Sequence, residues 1–320
     1  MTLPRFLDPA PNSRSVAPPV LKFDRVGRIF HATGERGWMV SHTACPQTLP
    51  LGGDNFRVYF GTRDGSNRAH IGFVEVSLAR PGEVLAISNE PVLSPGPKGH
   101  FDESGVYPGT IVRRGRNLMM YYMGRLNYES PRYGMAIGLA QSSDDGRTFE
   151  RVSQAPVFDR NSDSPWMVST PTVIMDDSGY RMWHIGGTGW QSATASIYRI
   201  RSATSADGMS WRSDAHEIVP FHPGETNHAS PTVLAAARGW RMWFCNHEDS
   251  GYRLAYAWSN DGQHWQRDDA QAGLASAASG FDQEIAYPHA VRHSGRVYLF
   301  YSGNGFGRDG LGLAVAEDRA

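Results

Sequence analysis

Cysteine is nearly absent from this chain of 320 residues, which carries only Cys45 and Cys245. A disulfide framework is therefore not expected. No apolar run reaches the ~18 residues that a membrane span requires. The Pro-rich opening residues 1–19 also lack the apolar core of a signal peptide. Together these absences predict a soluble, cytoplasmic protein with no membrane partner.

An excess of either charge is also missing, since 31 Lys and Arg residues face 32 Asp and Glu residues, for a net charge of −1. Without a basic stripe, nucleic acid is not an expected partner. The expected partner is a small molecule or an oligosaccharide, and the sequence leaves the oligomeric state open.

Cofactor and metal motifs are absent as well. The run 159–163 begins like a calcium loop, but Ser164 replaces the turn glycine. The run 303–308 lacks the last glycine of a dinucleotide fingerprint. No cofactor and no metal is therefore predicted. A metal held by a histidine cluster remains an alternative, with these candidate ligands: His42, His184, His228, His247 and His289.

The chain is rich in turn formers and strand formers, with 35 Gly, 20 Pro and 11% aromatic residues. The stretch 230–265 reads as four short strands: one led by proline, an aromatic one led by glycine, a third, and a fourth entered through an Asp-Gly turn. This unit recurs every 57 to 63 residues. Its copies are anchored by Pro46, Pro108, Pro171, Pro231 and Pro288.

Repeats of four strands are the signature of propeller blades. The sequence therefore predicts an all-β fold, a five-bladed β-propeller of four-stranded antiparallel blades. Each proline is expected on the innermost strand, because it cannot donate to a ladder and that strand is an edge. The Ser-x-Asp-Gly-x-x-aromatic turn is interpreted as structural, with its aromatic side chain packed between blades.

The last copy ends after its third strand, so an N-terminal strand at 20–33 is predicted to supply the fourth and close the ring, which removes an exposed edge. Residues 1–18 are predicted to be a lead-in segment and 19–320 a single domain. The predicted blades span 38–95, 96–158, 159–219, 220–275, and 276–320 plus 20–33.

Functional residues are expected where the segments before the innermost strands meet the loops between second and third strands, at one mouth of the channel. Several acids fall there, and paired carboxylates are what glycosidic bond cleavage needs. The candidate catalytic residues are Glu103, Asp282, Glu284, Asp64 and Glu225. The candidate substrate-binding residues are His42, Arg63, Asp102, Arg125, Trp166, His184, Trp190, His228, His247, Tyr287, His289 and Asn304.

These residues also have a structural interpretation. A Phe-Asp pair occurs six residues before the anchoring proline in two copies, as Asp102 and Asp282, and this repetition suits carboxylates that cap a strand entrance. The arginines suit bidentate binding of an anionic group. Trp166 and Trp190 suit a stacking wall for a sugar ring.

The Pro-anchored blades, the Asp-Gly-x-x-Trp turns, the Arg-Met-Trp strands and the Phe-Asp segments together resemble the five-bladed propeller glycoside hydrolases. These families include arabinanases and xylosidases, invertases and levansucrases, and mannoside phosphorylases. The chain is most similar to uncharacterised relatives placed in polysaccharide or specialised-metabolite biosynthesis. In arabinanase-like families the base is an Asp entering blade 1 and the acid is a Glu entering blade 3. Here those places hold Ser41-His42 and Trp166-Met167-Val168.

The resemblance implies a glycosidase-type enzyme that acts on a glycoside or sugar-like substrate through carboxylate acid/base chemistry. Two alternatives remain. One is a pocket turned to a cyclisation, elimination or transfer, in which His42, His289 and Tyr287 carry more of the chemistry than the acids. The other is a non-catalytic carbohydrate-binding propeller.

Overall fold

The structure, a computed structural model, describes residues 17–176, 178–192, 195–214, 216–248 and 251–318. Most of the predicted lead-in, 1–18, lies outside these ranges. Strands dominate, and the helical elements described are a 3₁₀ turn at Asp269–Gln271 and a short turn α1 at Asn304–Gly307. The prediction of an all-β fold is confirmed. Within the described ranges, no helix has the length and apolar character needed to cross a membrane.

The described strands form five groups, and within each group neighbouring strands pair antiparallel. The first group contains β2 (Ser41–Gly52), β3 (Asn55–Arg63), β4 (Ala69–Ser77) and β5 (Val84–Ile87). The second contains β6 (Gly105–Arg114), β7 (Asn117–Asn127), β8 (Tyr133–Ser142) and β9 (Glu150–Arg151). The third contains β10 (Met167–Asp176), β11 (Gly179–Trp190), β12 (Ser196–Ser205) and β13 (Arg212–Asp214). The fourth contains β14 (Asn227–Ala235), β15 (Trp240–Glu248), β16 (Gly251–Ser259) and β17 (Trp265–Arg267). The fifth contains β18 (Ala286–His293), β19 (Arg296–Ser302), β20 (Leu311–Glu317) and the N-terminal β1 (Asp24–Phe30).

Strand β1 pairs antiparallel with β20, from Asp24 opposite Val315 to Phe30 opposite Leu311. It lies within the predicted N-terminal strand and is the fourth strand of the last group. A single parallel residue pair links the first group to the second, and another links the third to the fourth. The first strands of the groups also contact one another in a cycle, from β2 through β6, β10, β14 and β18 back to β2.

Apolar side chains fill the space between successive groups. Trp183 of the third group and Trp240 of the fourth are both buried in one cluster, with ring centroids 6.3 Å apart. Tyr59 and Tyr122 are buried together between the first and second groups. Burial of each large side chain of this kind stabilises the fold by about 1.5–3 kcal/mol. The aromatic strands read from the sequence therefore form the core between neighbouring groups.

The Asp-Gly turns hold their own backbone. The Ser259 hydroxyl accepts a hydrogen bond from the Gly262 amide at 2.8 Å, and the Asp261 carboxylate accepts two amide hydrogen bonds at 2.8 Å. The aromatic that follows, Trp265, lies 6.0 Å from Trp183 of the preceding group. The turn residues thus serve the fold, as the sequence predicted.

Each innermost strand has a β-bulge at its anchoring proline. In four of these strands the residue before the proline has a positive φ: 56° at Cys45, 46° at Thr170, 48° at Ser230 and 51° at Tyr287. A bulge places one extra residue opposite the partner strand and changes the direction of its side chain. Four strained residues are thereby set around the axis on which the groups converge.

Threonine side chains join neighbouring innermost strands, which lack a full backbone ladder with one another. The Thr110 hydroxyl donates to the Pro171 carbonyl at 3.1 Å, and the Ala290 amide donates to the Thr232 hydroxyl at 3.0 Å. Between the last group and the first, the Thr48 amide donates to Nε2 of His289 at 3.2 Å. His289, predicted to bind substrate, therefore lies at this seam.

Stability should fall below about pH 6.5, because burial lowers the pKa of His289, His184 and His42 to about 4 each, and nearby arginines add to the effect at His42. In the unfolded chain these histidines protonate near pH 6.5. The folded state resists protonation until about pH 4, so their contribution is complete above pH 6.5 and is lost as the pH falls through that window.

Urea unfolding at pH 7.5, 6.0, 5.0 and 4.5 measures this loss. In His289→Gln, which keeps an acceptor and removes the titration, the slope of stability against pH should shrink by about 1.4 kcal/mol per pH unit. Parallel curves for the variant and the wild type would show that His289 does not contribute.

Candidate active site

A cavity of about 210 Å³ lies where the five innermost strands converge. All five contribute to its wall, together with the ends of second strands and the starts of third strands. Its lining residues are Ala44, Cys45, Arg63, Tyr107, Met123, Arg125, Tyr133, Met135, Met167, Ser169, Thr170, Ile185, Tyr198, Ala229, Tyr252, Tyr287 and Phe306. Beneath it a cavity of about 10 Å³ is lined by four of the five anchoring prolines, so the space narrows sharply along the axis.

Tyrosine is the most frequent polar residue in this wall. The hydroxyls of Tyr198 and Tyr252 share a hydrogen bond of 2.5 Å, and the Tyr252 and Tyr287 rings lie 5.8 Å apart. Burial raises the pKa of all three, so they remain neutral at ordinary pH. Neutral hydroxyls on aromatic rings suit the binding of a polyhydroxylated ligand.

Two guanidinium groups supply the positive charge of the cavity. Arg63, at the end of β3, donates to Asn67 Oδ1 at 3.1 Å. Arg125, near the end of β7, donates to Asn127 Oδ1 at 3.0 Å and lies 5.0 Å from the centre of the Tyr133 ring. Both retain further N–H groups with which a guanidinium can bind an anion. Their predicted position at the cavity agrees with the structure.

An aromatic wall extends from the cavity along the second and third groups. The rings of Trp166 and Trp190 lie 4.8 Å apart, and Tyr133 lies 5.6 Å from Trp166 and 6.5 Å from Trp190. Tyr133 also lines the cavity. The two tryptophans chosen from the sequence are therefore neighbours, and Tyr133 connects them to the cavity.

Three of the candidate carboxylates are each paired with an arginine of the same group. Asp102 is fully buried and accepts hydrogen bonds from Arg151 at 2.8 Å and Tyr122 at 2.9 Å. Asp282 accepts equivalent bonds from Arg25 at 2.9 Å and from Tyr301 at 3.0 Å.

Glu225 completes this set, with contacts of 2.6 Å to Arg267 and 2.5 Å to Asn246. In each case the carboxylate precedes an innermost strand and the arginine belongs to the outermost strand of the same group. Arg25 lies on β1, so the N-terminal strand provides in the last group what β9 and β17 provide in theirs.

The partners of Glu225 decide its charge. Burial alone would raise its pKa, but hydrogen bonds from Arg267 and His228 outweigh burial and hold the pKa well below its usual range. Ligand atoms of His222, Glu225 and Asp269 lie within 4.8 Å of one another, which is close enough to suggest a cation site. Arg267 already binds both carboxylates, and its guanidinium supplies the positive charge there.

The remaining candidate acids have different surroundings. Glu103 is partly exposed and accepts a hydrogen bond from the Gly99 amide, and the next residue, Ser104, donates its amide to the Arg125 carbonyl. Glu284 is partly exposed, and the next residue, Ile285, donates its amide to the Tyr252 carbonyl at 3.1 Å. Each glutamate thus lies one residue from a direct contact with a strand that lines the cavity.

Asp64 is held by a larger set of partners. Its carboxylate accepts bonds from Arg68 and from two backbone amides, and it lies 3.2 Å from His70. Burial would raise its pKa, but these hydrogen bonds lower it. Of the residues the structure describes, none that lines the cavity is a carboxylate.

The candidate histidines are dispersed. His184 and His228 are buried, and His228 contacts Glu225 at 3.2 Å. His42 is hydrogen-bonded to the Ser41 hydroxyl, and His247 packs against Tyr252 with ring centroids 5.2 Å apart. Asn304 braces the loop after β19 by donating to the Gly280 carbonyl and accepting from the Glu284 amide.

Sequence reasoning missed most of the tyrosines and Thr170. Tyr107 and Thr170 directly precede anchoring prolines, as Tyr287 does, so the repeat itself marks the residues that face the axis. Tyr133 and Tyr252 stand at or next to the first residue of a third strand, which is a second recurring position.

Comparisons with known proteins agree with this geometry. The model of the glycosyl hydrolases family 32 N-terminal domain matches residues 88–216. The uncharacterized protein Rv1502 of Mycobacterium tuberculosis (strain ATCC 25618 / H37Rv) is 39% identical over 297 residues, covering 92% of this chain and 99% of that protein. The chain belongs to the family of Rv1502, within the glycoside hydrolase propeller superfamily.

Two other members of the superfamily are also similar to this chain. A β-1,2-mannobiose phosphorylase of Thermoanaerobacter sp. (strain X514) is 27% identical over 150 residues, which covers 43% of this chain and 47% of that protein. A glycosyl hydrolase structure from Bacteroides ovatus superposes with a TM-score of 0.72 at 13% identity, covering 94% of this chain and 95% of that one. The sequence-based resemblance is confirmed, and the expectation of a glycosidase-type enzyme is supported by membership of this superfamily.

Proposed function

We propose that this glycoside hydrolase superfamily member is a glycosidase-type enzyme that binds a sugar substrate in the tyrosine-lined cavity. The observation that carries the proposal is the convergence of five innermost strands on one cavity with neutral hydroxyls, two arginines and an adjoining aromatic wall. We further infer a single five-bladed propeller over residues 19–320, closed by β1. The cycle of strand contacts and the β1–β20 pairing support it.

Glu103 and Glu284 are the proposed acid/base pair. Asp102, Asp282 and Glu225 are bound by arginine in their groups, which leaves them poorly suited to proton transfer. In hydrolysis one carboxyl group donates its proton to the glycosidic oxygen as the bond to C1 breaks. The other carboxylate takes a proton from the attacking water, or itself bonds to C1 before water releases it.

A second candidate is phosphorolysis, favoured by the two guanidinium groups on a wall where no described carboxylate lies. A phosphate oxygen would bond to C1 while the glycosidic bond breaks, and the leaving oxygen would take a proton from one carboxyl group. The products are a sugar 1-phosphate and the shortened sugar. Such a reaction needs a single acid, and the similarity to a mannobiose phosphorylase is consistent with it.

A panel of aryl glycosides and natural oligosaccharides, with and without inorganic phosphate, tests both. Wild type is compared with Glu103→Gln, Glu284→Gln and the control Glu90→Gln, whose side chain is exposed. Loss of the general acid should reduce turnover about 10²–10⁴-fold, while the control keeps full turnover. Dependence on phosphate selects phosphorolysis. Full turnover in both glutamine variants would contradict the assignment of these glutamates.

A further inference from the structure

Thr170 lies on the floor of the cavity and carries a hydroxyl that the fold does not use. The residue is 9% exposed and lines both the main cavity and the small one beneath it. Its Oγ1 atom is buried and has no hydrogen-bond partner within the described part of the chain. A buried hydroxyl without a partner is costly, so native structures rarely retain one without a reason.

The backbone of Thr170 is also strained. Its φ of 46° lies in the left-handed region, where a β-branched residue is a genuine outlier. The bulge requires a positive φ here, and glycine would meet that requirement at lower energy. The residues before three other anchoring prolines share this positive φ, so the bulge accounts for it, and what distinguishes Thr170 is a β-branched side chain with an unpartnered hydroxyl.

Other threonines on the innermost strands behave differently. The Thr110 hydroxyl donates to the Pro171 carbonyl and accepts from the Val173 amide, so its role at the seam is complete. The Thr172 hydroxyl donates to the Pro231 carbonyl. The unused hydroxyl of Thr170 therefore does not follow from a general need for threonine on these strands.

The chemistry around Thr170 indicates the kind of group it meets. Tyr198 and Tyr252 line the same cavity, and their hydroxyls share one hydrogen bond, which uses one of their two protons. The charges of the cavity belong to Arg63 and Arg125, on second strands. The neutral hydroxyls thus offer donors and acceptors to an uncharged, hydroxylated ligand.

From this we propose that Thr170 binds a hydroxyl group of the sugar directly, with the Tyr198–Tyr252 pair as a second contact to the same sugar. An anionic part of the substrate would then lie toward Arg63 and Arg125. This assignment rests on the proposed function for the nature of the ligand, and its geometry stands on Thr170 itself.

The first test measures by calorimetry the binding of methyl glycosides of glucose, galactose, mannose, xylose and arabinose. The proteins compared are the intact wild type, Thr170→Val and Thr110→Val. Thr170→Val keeps the β-branched shape and removes the hydroxyl. It should weaken binding of the preferred glycoside about 10- to 100-fold without loss of thermal stability. Thr110→Val should lose thermal stability and keep its affinity. Equal affinity in Thr170→Val and wild type, or no binding of any glycoside by wild type, would overturn the proposal.

Thr170→Gly gives a second readout that a merely structural role would not produce. Glycine adopts the positive φ without strain and removes the hydroxyl. The melting temperature of this variant should therefore rise while its affinity falls. Deoxy analogues of the preferred glycoside then identify the contact, since the analogue that lacks the bound hydroxyl should bind wild type and Thr170→Val equally. A glycine variant that loses thermal stability together with affinity would contradict the proposed strain.

Binding and turnover separate the two proposals. Weaker binding in Thr170→Val without turnover of any substrate supports the Thr170 contact and counts against the glycosidase proposal. Turnover that is indifferent to Thr170→Val supports the glycosidase proposal and removes Thr170 from the site.

Discussion

Asp102→Ala should lower the free energy of unfolding by about 3–5 kcal/mol, because it leaves the Arg151 guanidinium and the Tyr122 hydroxyl without their buried partner. Asp102 is fully buried, while the Arg151 side chain is 21% exposed. Denaturant unfolding monitored by tryptophan fluorescence measures the change. The double variant Asp102→Ala/Arg151→Met should be less destabilised than the single variant, since it removes both charges.

This experiment separates a structural carboxylate from a chemical one. If Asp102 serves the fold, any fall in turnover in Asp102→Asn should follow its loss of stability and be partly restored at low temperature. Unchanged stability together with a large fall in turnover would instead place Asp102 in the chemistry. The same reasoning applies to Asp282 with Arg25.

Asp318→Ala should be comparably destabilising, by about 3–5 kcal/mol. Asp318 is buried and lies 3.3 Å from Arg241 and 2.6 Å from Arg292, so one carboxylate joins β15 to β18 near the end of the chain. Arg241 is 1% exposed and also donates to the Pro19 carbonyl at 3.0 Å. Removal of the Asp318 carboxylate leaves the buried Arg241 guanidinium without a counterion and loosens the segment that leads into β1.

The adjacent residue provides a matched control. Glu317 pairs with Arg296 at 2.7 Å, but both side chains are at least half exposed. Glu317→Ala should therefore leave the unfolding midpoint nearly unchanged, since solvent screens such a pair. If denaturant unfolding shows similar losses of stability in the two variants, the buried pair contributes no more to stability than the exposed pair.

The strand order could be predicted from the sequence because its signals are local. A proline excludes a ladder donor, an Asp-Gly turn fixes a reversal, and both recur at a constant spacing, so Pro171 and Pro231 mark innermost strands without any knowledge of packing. The need for an N-terminal strand followed from counting strands in the last copy.

The site was harder to predict because it depends on side-chain direction. Asp102 and Asp282 recur at the same distance before an anchoring proline, which left a functional and a structural role open. Their partners Arg151 and Arg25 lie on the outermost strands, and that pairing is visible only in three dimensions. Tyr107, Thr170 and Tyr287 were visible as residues before prolines. The bulge that directs Thr170 toward the axis is a backbone property, and proline alone does not specify it.

The pairing of β1 with β20 has a consequence for synthesis of the chain. Among the described strands β1 leaves the ribosome first and its hydrogen-bonding partner β20 leaves it last, so β1 waits unpaired while the other groups form. Until β20 has been translated, β1 keeps an open edge. The β1–β20 pairing is therefore a late event in synthesis, and it marks a chain in which all four strands of the last group are present.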